Sequence, residues 1–186
     1  MRNVLVVLSG PSGVGKGTIA KQIVEKNKNV KLSVSCTTRL ARDGETDGKE
    51  YFFITKEQFK EKIANNGFLE YSEHFENFYG TPKDFVIDAL KQSDVLLEID
   101  VNGGLEIKNS FNGAVLIMVV PPSLDELKNR LILRGSETED KINLRMQRIS
   151  YELDKSNLYD YTVINDNLQD AIKQIEEIIR QEKNKI

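Results

Sequence analysis

The chain has 186 residues, with 26 Lys or Arg against 29 Asp or Glu and a formal net charge of −3. This length is typical of one domain, and the absence of a basic excess disfavours a general nucleic-acid-binding protein. The single cysteine, Cys36, excludes an internal disulfide, and the single histidine, His74, leaves too few ligands for the usual Cys/His zinc cluster.

Apolar runs and amphipathic patterns alternate along the chain. The first half begins with a predicted buried strand over residues 4–8, a glycine-rich turn, a helix over 18–28, a strand over 30–35 and a polar loop over 37–50. A helix begun by the capping box of Thr55 and Gln58 follows, and then a strand over 68–75 and a turn over 77–80. The last element of this half is a helix capped by Thr81 with Pro82 at its first position.

The second half predicts strands over 95–99 and 114–120 joined by a helix over 101–111, a helix capped by Ser123, a polar break over 135–140, a helix over 141–158, a strand over 161–164 and a helix over 168–179. Buried strands that alternate with helices favour an α/β protein with three layers around a central parallel sheet.

The glycine-rich turn SGPSGVGKGT, residues 9–18, nearly matches the phosphate-binding P-loop pattern G-x-x-x-x-G-K-[ST]. Its glycines let backbone N–H groups point at phosphate, the following helix adds its positive end, and Lys16 adds a mobile charge. The residues expected to hold the nucleotide phosphates are Gly10, Pro11, Ser12, Gly13, Val14, Gly15, Lys16, Gly17 and Thr18.

Gly17 stands where the pattern has a hydroxyl ligand for magnesium. Thr18 carries a hydroxyl one position later, but it points about 100° further round the helix. Water could also complete the shell, because magnesium usually keeps several waters. The substitution leaves the metal ligand open and the phosphate cradle intact.

Two classes of P-loop protein compete, a GTPase switch and a small-molecule kinase. A GTPase needs a base-reading N-K-x-D segment after a late strand, and the nearest candidate, NKNV at residues 27–30, is early and lacks the aspartate. A kinase needs a second site for its acceptor. Arg39 and Arg42 in SVSCTTRLAR supply bidentate donors that suit a phosphate, and Tyr51 and Tyr79 add hydroxyl groups.

The order of these motifs resembles the guanylate kinase family, whose members phosphorylate GMP with ATP. The matching segments, which cover nearly the whole chain, are SGPSGVGKGT, SVSCTTRLAR, DGKEYFF, FLEYSEHFENFYGTP, VLLEIDVNGG, VVPPS, LILRGSETEDKINLRM and YDYTVINDNL. The resemblance implies a P-loop kinase fold in a single domain of residues 1–186, with a core of residues 1–32, 83–128 and 156–186, a small mixed α/β GMP-binding segment of residues 33–82 and a short helical lid of residues 129–155.

The resemblance also implies a role for each site residue. The catalytic residues would be Lys16, Arg39, Arg42, Arg134 and Arg145. The GMP site would contain Ser35, Arg39, Arg42, Tyr51, Glu70, Tyr79, Thr81, Glu98 and Asp100. Asn165 would lie near the adenine of ATP, and Thr18 and Asp100 would bind magnesium.

Glu70 has a physical case of its own as the reader of guanine. Guanine presents N1–H and an exocyclic amine side by side, and one carboxylate accepts from both. The N1 lone pair of adenine would repel the same carboxylate. Sites built on such buried polar pairs discriminate by about 10⁴-fold.

Glu98 and Asp100 in VLLEID fall on the same face at the end of an apolar strand, because strand side chains repeat every two residues. Beside a P-loop, that position suits magnesium coordination or base contact. The family usually has Asp at both positions, so Glu98 departs by one methylene. Ala41 likewise stands where the family often has proline between the two arginines.

The favoured function is transfer of the terminal phosphate of ATP to GMP with magnesium, giving ADP and GDP. The alternatives are a kinase of the same fold with another nucleotide acceptor, and a non-catalytic module that binds phosphorylated peptides in the GMP site. No apolar run approaches the roughly 20 residues that span a bilayer, and the start MRNVLVVLSG is too short for a secretion signal. We expect a cytoplasmic protein with no membrane or nucleic-acid partner, either a monomer or a homodimer.

Overall fold

The computed structural model describes residues 2–74, 76–133 and 139–185. Within these ranges the central sheet has five parallel strands, which confirms the predicted α/β architecture. The strands, in their order across the sheet, are β2 (Val30–Leu32), β7 (Asp94–Glu98), β1 (Leu5–Ser9), β8 (Val115–Val120) and β9 (Tyr161–Ile164).

Helices cover both faces of this sheet. They are α1 (Lys16–Lys26), α3 (Lys83–Leu90), α4 (Val101–Ser110), α5 (Leu124–Leu133), α6 (Glu139–Leu153) and α7 (Leu168–Asn184), with a 3₁₀ turn at Ser156–Leu158. Helix α2 (Lys56–Ala64) lies apart from this sheet, and its Phe59 stacks on Phe68 and Phe78. The helix predicted over residues 141–158 therefore ends earlier, at Leu153. The strand predicted over residues 30–35 likewise ends at Leu32, before the chain leaves the central sheet.

Two apolar clusters fill the space between the sheet and the helices. On one face, Leu8 of β1 packs in a cluster with Ile19 of α1 and Ile175 of α7. On the other face, Val7 belongs to a cluster with Val86 of α3. Consecutive residues of β1 thus point to opposite, equally buried sides, as a central parallel strand requires. The three predicted layers are present.

A second, mixed sheet lies within residues 33–82, the segment predicted to bind GMP. Its strands are, in spatial order, β4 (Phe52–Phe53), β3 (Cys36–Thr37), β6 (Asn77–Pro82) and β5 (Phe68–His74). The turn predicted over residues 77–80 is wrong, because these residues belong to β6 and Gly80 pairs with both Cys36 and Tyr71. The chain reverses just before β6, where Glu76 has a φ of +64°.

Of the caps predicted for α2 and α3, only the first is present. The capping box of Thr55 and Gln58 is confirmed at the start of α2. Helix α3 begins one residue later than predicted, with Pro82 as its N-cap. Thr81 does not cap it, because its hydroxyl donates to Glu70 instead. None of the helices in the described ranges is long and apolar enough to cross a membrane.

Candidate active site

The glycine-rich turn joins the carboxyl end of β1 to the first residue of α1. Gly10 has a φ of +145°, and a Cβ atom there would lie 2.1 Å from the carbonyl oxygen of Val119 on β8. Gly15, with a φ of +99°, is the N-cap of α1. Glycine adopts such conformations at no steric cost. The turn therefore has the shape of a phosphate cradle in front of a helix N-terminus.

Asn165, just after β9, supports this turn from the side. Its Nδ2 donates to the carbonyl oxygen of Val14 at 2.7 Å, and the residue is buried. A Cβ atom at Gly15 would lie 2.6 Å from the same nitrogen, so the loop and the amide are in close contact. The structure thus places Asn165 against the phosphate loop, and its contact with adenine stays a prediction.

Lys16 folds back over the loop that precedes it. Its Nζ donates to two carbonyl oxygens of that loop, at 2.6 and 3.1 Å. Burial lowers the pKa of Lys16, whereas the carboxylates of Glu98, Glu152 and Asp100 oppose that shift. The ammonium group is therefore held at the mouth of the cradle, where terminal phosphates of a nucleotide would meet it.

An open cleft of about 660 Å³ lies in front of Lys16. Glu98 and Asp100 line it from the end of β7, and Arg145 and Glu152 line it from α6. The cleft thus separates the phosphate loop from α6, a helix of the predicted lid that contributes both Arg145 and Arg148 to the lining.

Two lid arginines were predicted to reach the transferring phosphate. Nη1 of Arg145 lies 3.4 Å from Oγ of Ser12 in the phosphate loop. Arg134 lies outside the described residues. Helix α6 of the predicted lid therefore reaches the phosphate loop through Arg145.

Oxygen ligands that suit magnesium meet at the end of β7. Oδ1 of Asp100 accepts from the N–H of Gly103 at 2.9 Å and so caps α4. The carboxyl group of Glu98 is partly buried, which raises its pKa, whereas the charge of Lys16 acts in the opposite direction. Thr18 is exposed on the first turn of α1. Across the described residues, no three His, Cys, Asp or Glu are grouped to hold a metal alone, so magnesium would need phosphate and water ligands as well.

Arg39 is held firmly in the loop after β3. Its Nη1 and Nη2 donate to the two carboxylate oxygens of Glu45, each at 2.9 Å. The guanidinium carbon also lies 5.5 Å from the ring centroid of Tyr51 and 5.8 Å from that of Phe53. The pKa of Arg39 is raised, first by the Glu45 hydrogen bond, and the hydroxyl of Tyr79 contributes another.

The other residues expected at the GMP phosphate lie around Arg39. The rings of Tyr51 and Tyr79 pack edge to face with centroids 6.0 Å apart. Arg42 is exposed, and its backbone N–H donates to Glu45. Ser35 is half-buried beside β4, where its carbonyl oxygen accepts from Phe52. The structure therefore places these residues on the mixed sheet and its loop.

Glu70 of β5 and Thr81 of β6 form the predicted guanine-reading pair. Oγ1 of Thr81 donates to Oε1 of Glu70 at 2.6 Å, and the two residues are 0% and 7% exposed. Burial raises the pKa of Glu70 to about 7, although the hydroxyl of Thr81 acts in the opposite direction. A Cβ atom at Gly103 would lie 3.0 Å from Oε2 of Glu70, so only a residue without a side chain lets α4 approach this carboxylate so closely.

Glu98 and Asp100 lie between the two halves of the site. Burial has the largest effect on the pKa of both Glu70 and Tyr51, and raises each of them. Asp100 raises the pKa of Glu70 further, and Glu98 does the same for Tyr51. Both carboxylates also oppose the lowering of the Lys16 pKa. The described residues predicted for the two nucleotides therefore converge on the carboxyl end of the central sheet, where ligands of open α/β sheets bind.

Sequence reasoning missed two carboxylates of the site. Glu45 binds Arg39, and the available signal was an acidic residue within the same short loop as two arginines. Glu152 is 8% exposed, and its Oε1 accepts from Nε of Arg148 at 2.9 Å. Its signal was the i, i+4 spacing from Arg148 on a predicted helix.

The sequence profile of the guanylate kinase family matches residues 2–182. A guanylate kinase of Clostridioides difficile (strain 630) is 49% identical over 186 residues, which cover 100% of this chain and 91% of that protein. A guanylate kinase of Clostridium tetani (strain Massachusetts / E88) is 46% identical over 183 residues, which cover 98% of this chain and 88% of that protein.

Solved structures show the same likeness. The crystal structure of guanylate kinase from Anaplasma phagocytophilum matches with a TM-score of 0.80 and 33% identity, and covers 99% of this chain and 88% of that chain. Shikimate kinase from Bacteroides thetaiotaomicron matches with a TM-score of 0.56 and 15% identity over 95% of this chain and 98% of that chain. The second likeness concerns the fold alone.

Proposed function

The chain belongs to the guanylate kinase family, which phosphorylates GMP to GDP with ATP as the phosphate donor, and we propose how its residues divide this reaction. The observation that carries the assignment to individual residues is the buried Glu70–Thr81 pair, in a chain whose glycine turn has the shape of a phosphate cradle. A carboxylate in that position suits the N1–H and amine edge of guanine.

The donor site is the P-loop, residues 10–18, with Asn165 behind it. Its backbone N–H groups and the N-terminus of α1 receive the phosphates of ATP. Lys16 leaves the two loop carbonyls and follows the terminal phosphate, and Arg145 and Arg134 approach it from the lid. Closure of the lid excludes water, which would otherwise compete with GMP for the phosphoryl group.

The acceptor site is the mixed sheet and its loop. Glu70 and Thr81 bind the guanine base. The phosphate of GMP is held by Ser35, Arg39, Arg42, Tyr51 and Tyr79. These contacts place one phosphate oxygen of GMP in line with the terminal phosphorus of ATP.

The transfer itself is a single in-line displacement. A bond forms between a phosphate oxygen of GMP and the terminal phosphorus of ATP, while the bond from that phosphorus to the bridging oxygen of ADP breaks. Charge builds up on the three other oxygens of the phosphoryl group, and Lys16 and the lid arginines neutralise it. The protein contributes alignment and positive charge and no covalent intermediate.

Magnesium fits the carboxylates at the end of β7. Asp100, with Glu98 beside it, would hold the ion together with phosphate oxygens and water, and Thr18 supplies a hydroxyl on the first turn of α1. When bound, the ion supplies positive charge to the phosphate oxygens of ATP. Glu98 and Asp100 also oppose the lowering of the Lys16 pKa by burial.

The chain divides for this work into a core of residues 1–32, 83–128 and 156–186, a GMP-binding segment of residues 33–82 and a lid of residues 129–155. We place the enzyme in the cytoplasm, with ATP and GMP as its partners.

Solution scattering with and without GMP and an ATP analogue tests closure, because two moving segments should reduce the radius of gyration. Sedimentation equilibrium of the same samples separates a monomer from a homodimer.

A panel of acceptors tests the function. ADP release is measured with GMP, AMP, UMP and dTMP, and GMP is expected to have the largest kcat/KM. Another preferred nucleotide would instead support a kinase of the same fold with a different acceptor. Binding of a phosphorylated peptide without turnover of any nucleotide would support the non-catalytic module.

A further inference from the structure

The carboxylate of Glu45 accepts hydrogen bonds from both arginines that are expected to hold the GMP phosphate. The oxygens of Glu45 accept from Nη1 and Nη2 of Arg39, each at 2.9 Å. Oε2 also accepts from the backbone N–H of Arg42 at 2.8 Å. A single side chain thus fixes the direction of the first arginine and the path of the chain at the second.

These contacts leave a defined part of Arg39 for a ligand. A guanidinium group has five N–H donors. Glu45 takes one from each terminal nitrogen, and the carbonyl oxygen of Leu40 takes the other from Nη1 at 2.7 Å. The donors that remain, on Nε and Nη2, form the side edge of the group. The hydroxyl of Tyr79 also hydrogen-bonds Arg39, and a phosphate oxygen would bind at the side edge.

The loop between the arginines has little else to hold its shape. Leu40 and Ala41 occupy it, so no proline fixes the backbone there. Leu40 is 88% exposed and is not anchored by packing. An arginine loses much rotamer freedom when it binds, so a partner that fixes it beforehand favours the ligand.

We propose that Glu45 is a positioning residue for GMP, which holds the end of Arg39 and the N–H of Arg42 so that the side edge of Arg39 faces the GMP phosphate. The inference rests on the proposed GMP site. The opposite role is competition, in which the carboxylate occupies donors that the phosphate itself requires. When the carboxylate is removed, GMP should bind more weakly if Glu45 positions the arginines and more tightly if it competes with the phosphate.

Glu45→Gln tests this in the full chain, because it keeps the size of the side chain and replaces one acceptor oxygen with a donor. Calorimetry is expected to show the Kd for GMP raised by about 10-fold or more, with the Kd for guanosine unchanged because guanosine has no phosphate. The KM for GMP should rise in parallel, while kcat and the KM for ATP stay near wild type. Glu45→Asp, which is charged but one methylene shorter, should fall between the two proteins.

Glu50→Gln is the matched control, since Glu50 accepts from the N–H of Thr46 at 2.8 Å within the same loop. It should bind GMP as the wild type does. Tighter GMP binding by Glu45→Gln would show competition and overturn the inference, and so would an unchanged Kd or an equal loss of guanosine binding. If the wild type itself fails to bind GMP, the proposed function fails instead.

Discussion

A Cβ atom at Gly17 would lie 3.2 Å from Oε2 of Glu98. The longer carboxylate at the end of β7 therefore occupies space beside the position where the P-loop pattern has a hydroxyl side chain. The two departures from the common pattern, a glycine in the loop and a glutamate at the strand end, are sterically compatible with each other. A hydroxyl at position 17 and a glutamate at position 98 would crowd the same few ångströms.

Gly17→Ser is expected to displace the Glu98 carboxylate and raise the KM for ATP. Adding Glu98→Asp should bring the KM for ATP back toward the wild-type value, because aspartate is one methylene shorter. The measurement is the KM for ATP at several magnesium concentrations for the wild type, both single variants and the double variant. A coupling of about 1 kcal/mol is expected, as for residues in direct contact. Additive effects of the two substitutions would contradict the steric link.

The recognition of guanine should depend on pH through Glu70. Its pKa is raised to about 7, so the carboxylate is charged and can accept two hydrogen bonds only above that pH. The ratio of kcat/KM for GMP to that for AMP should therefore rise as pH increases through about 7. This ratio cancels the titration of the nucleotide phosphate, which GMP and AMP share. Glu70→Gln should lower the ratio and remove its pH dependence, and a wild-type ratio that is flat with pH argues against this role.

The same carboxyl group should affect stability in the opposite direction. Because its pKa rises from 4.5 in the unfolded chain to about 7 when folded, its contribution to folding is full below pH 4.5 and is lost as pH rises through about 7. The shift corresponds to roughly 3 kcal/mol. Urea unfolding at pH 5 and pH 8 should show the wild type losing stability relative to Glu70→Gln as the pH increases.

Asn165→Ala removes the hydrogen bond from Nδ2 to the carbonyl oxygen of Val14 and should cost about 1 kcal/mol of unfolding free energy. Asn167→Ala removes the N-cap of α7 at a similar cost and serves as the control. The KM for ATP should rise only in Asn165→Ala, because only that residue supports the phosphate loop. The same KM in both variants would show that the support is not needed.

Lys16→Ala is expected to reduce kcat by about 10²-fold or more, because the developing charge on the phosphoryl group loses its nearest cation. The fold should stay intact, since the two hydrogen bonds of Nζ are made to carbonyl oxygens of the loop itself. Lys21→Ala, on an exposed part of the same helix, is the control and should keep full activity. Near-normal turnover by Lys16→Ala would remove the P-loop from the mechanism.

The central sheet was predictable because its three middle strands, β7, β1 and β8, contain uninterrupted apolar runs. The strand β6 was not, because Asn77 and Gly80 favour a turn locally, and their pairing with β3 and β5 is decided by residues elsewhere in the chain. The phosphate loop was predictable from its spacing. The contact of Asn165 with Val14 was not, because it joins residues 151 positions apart.

The Glu45–Arg39 contact shows a third kind of contact that the sequence does not predict. Both residues lie in one short loop, so their proximity was open to inference, but a loop without regular dihedral angles has no periodicity that fixes which side chains meet. Resemblance to a family identified the arginines by motif and overlooked the carboxylate that orients them. Local geometry, rather than distance along the chain, was the missing information.

The position of β1 in the middle of the sheet has a consequence for the order of folding. The hydrogen bond from the N–H of Val4 to Oδ1 of Asp94 joins residues 90 positions apart, whereas β5 and β6 pair as neighbours. Closing long loops costs entropy before the contacts form, so distant pairings are slow. Pulse-labelling hydrogen exchange during refolding should find amides of β5 and β6 protected before those of β1. The phosphate cradle, which depends on β1 and on Asn165, is then among the last parts of the molecule to form.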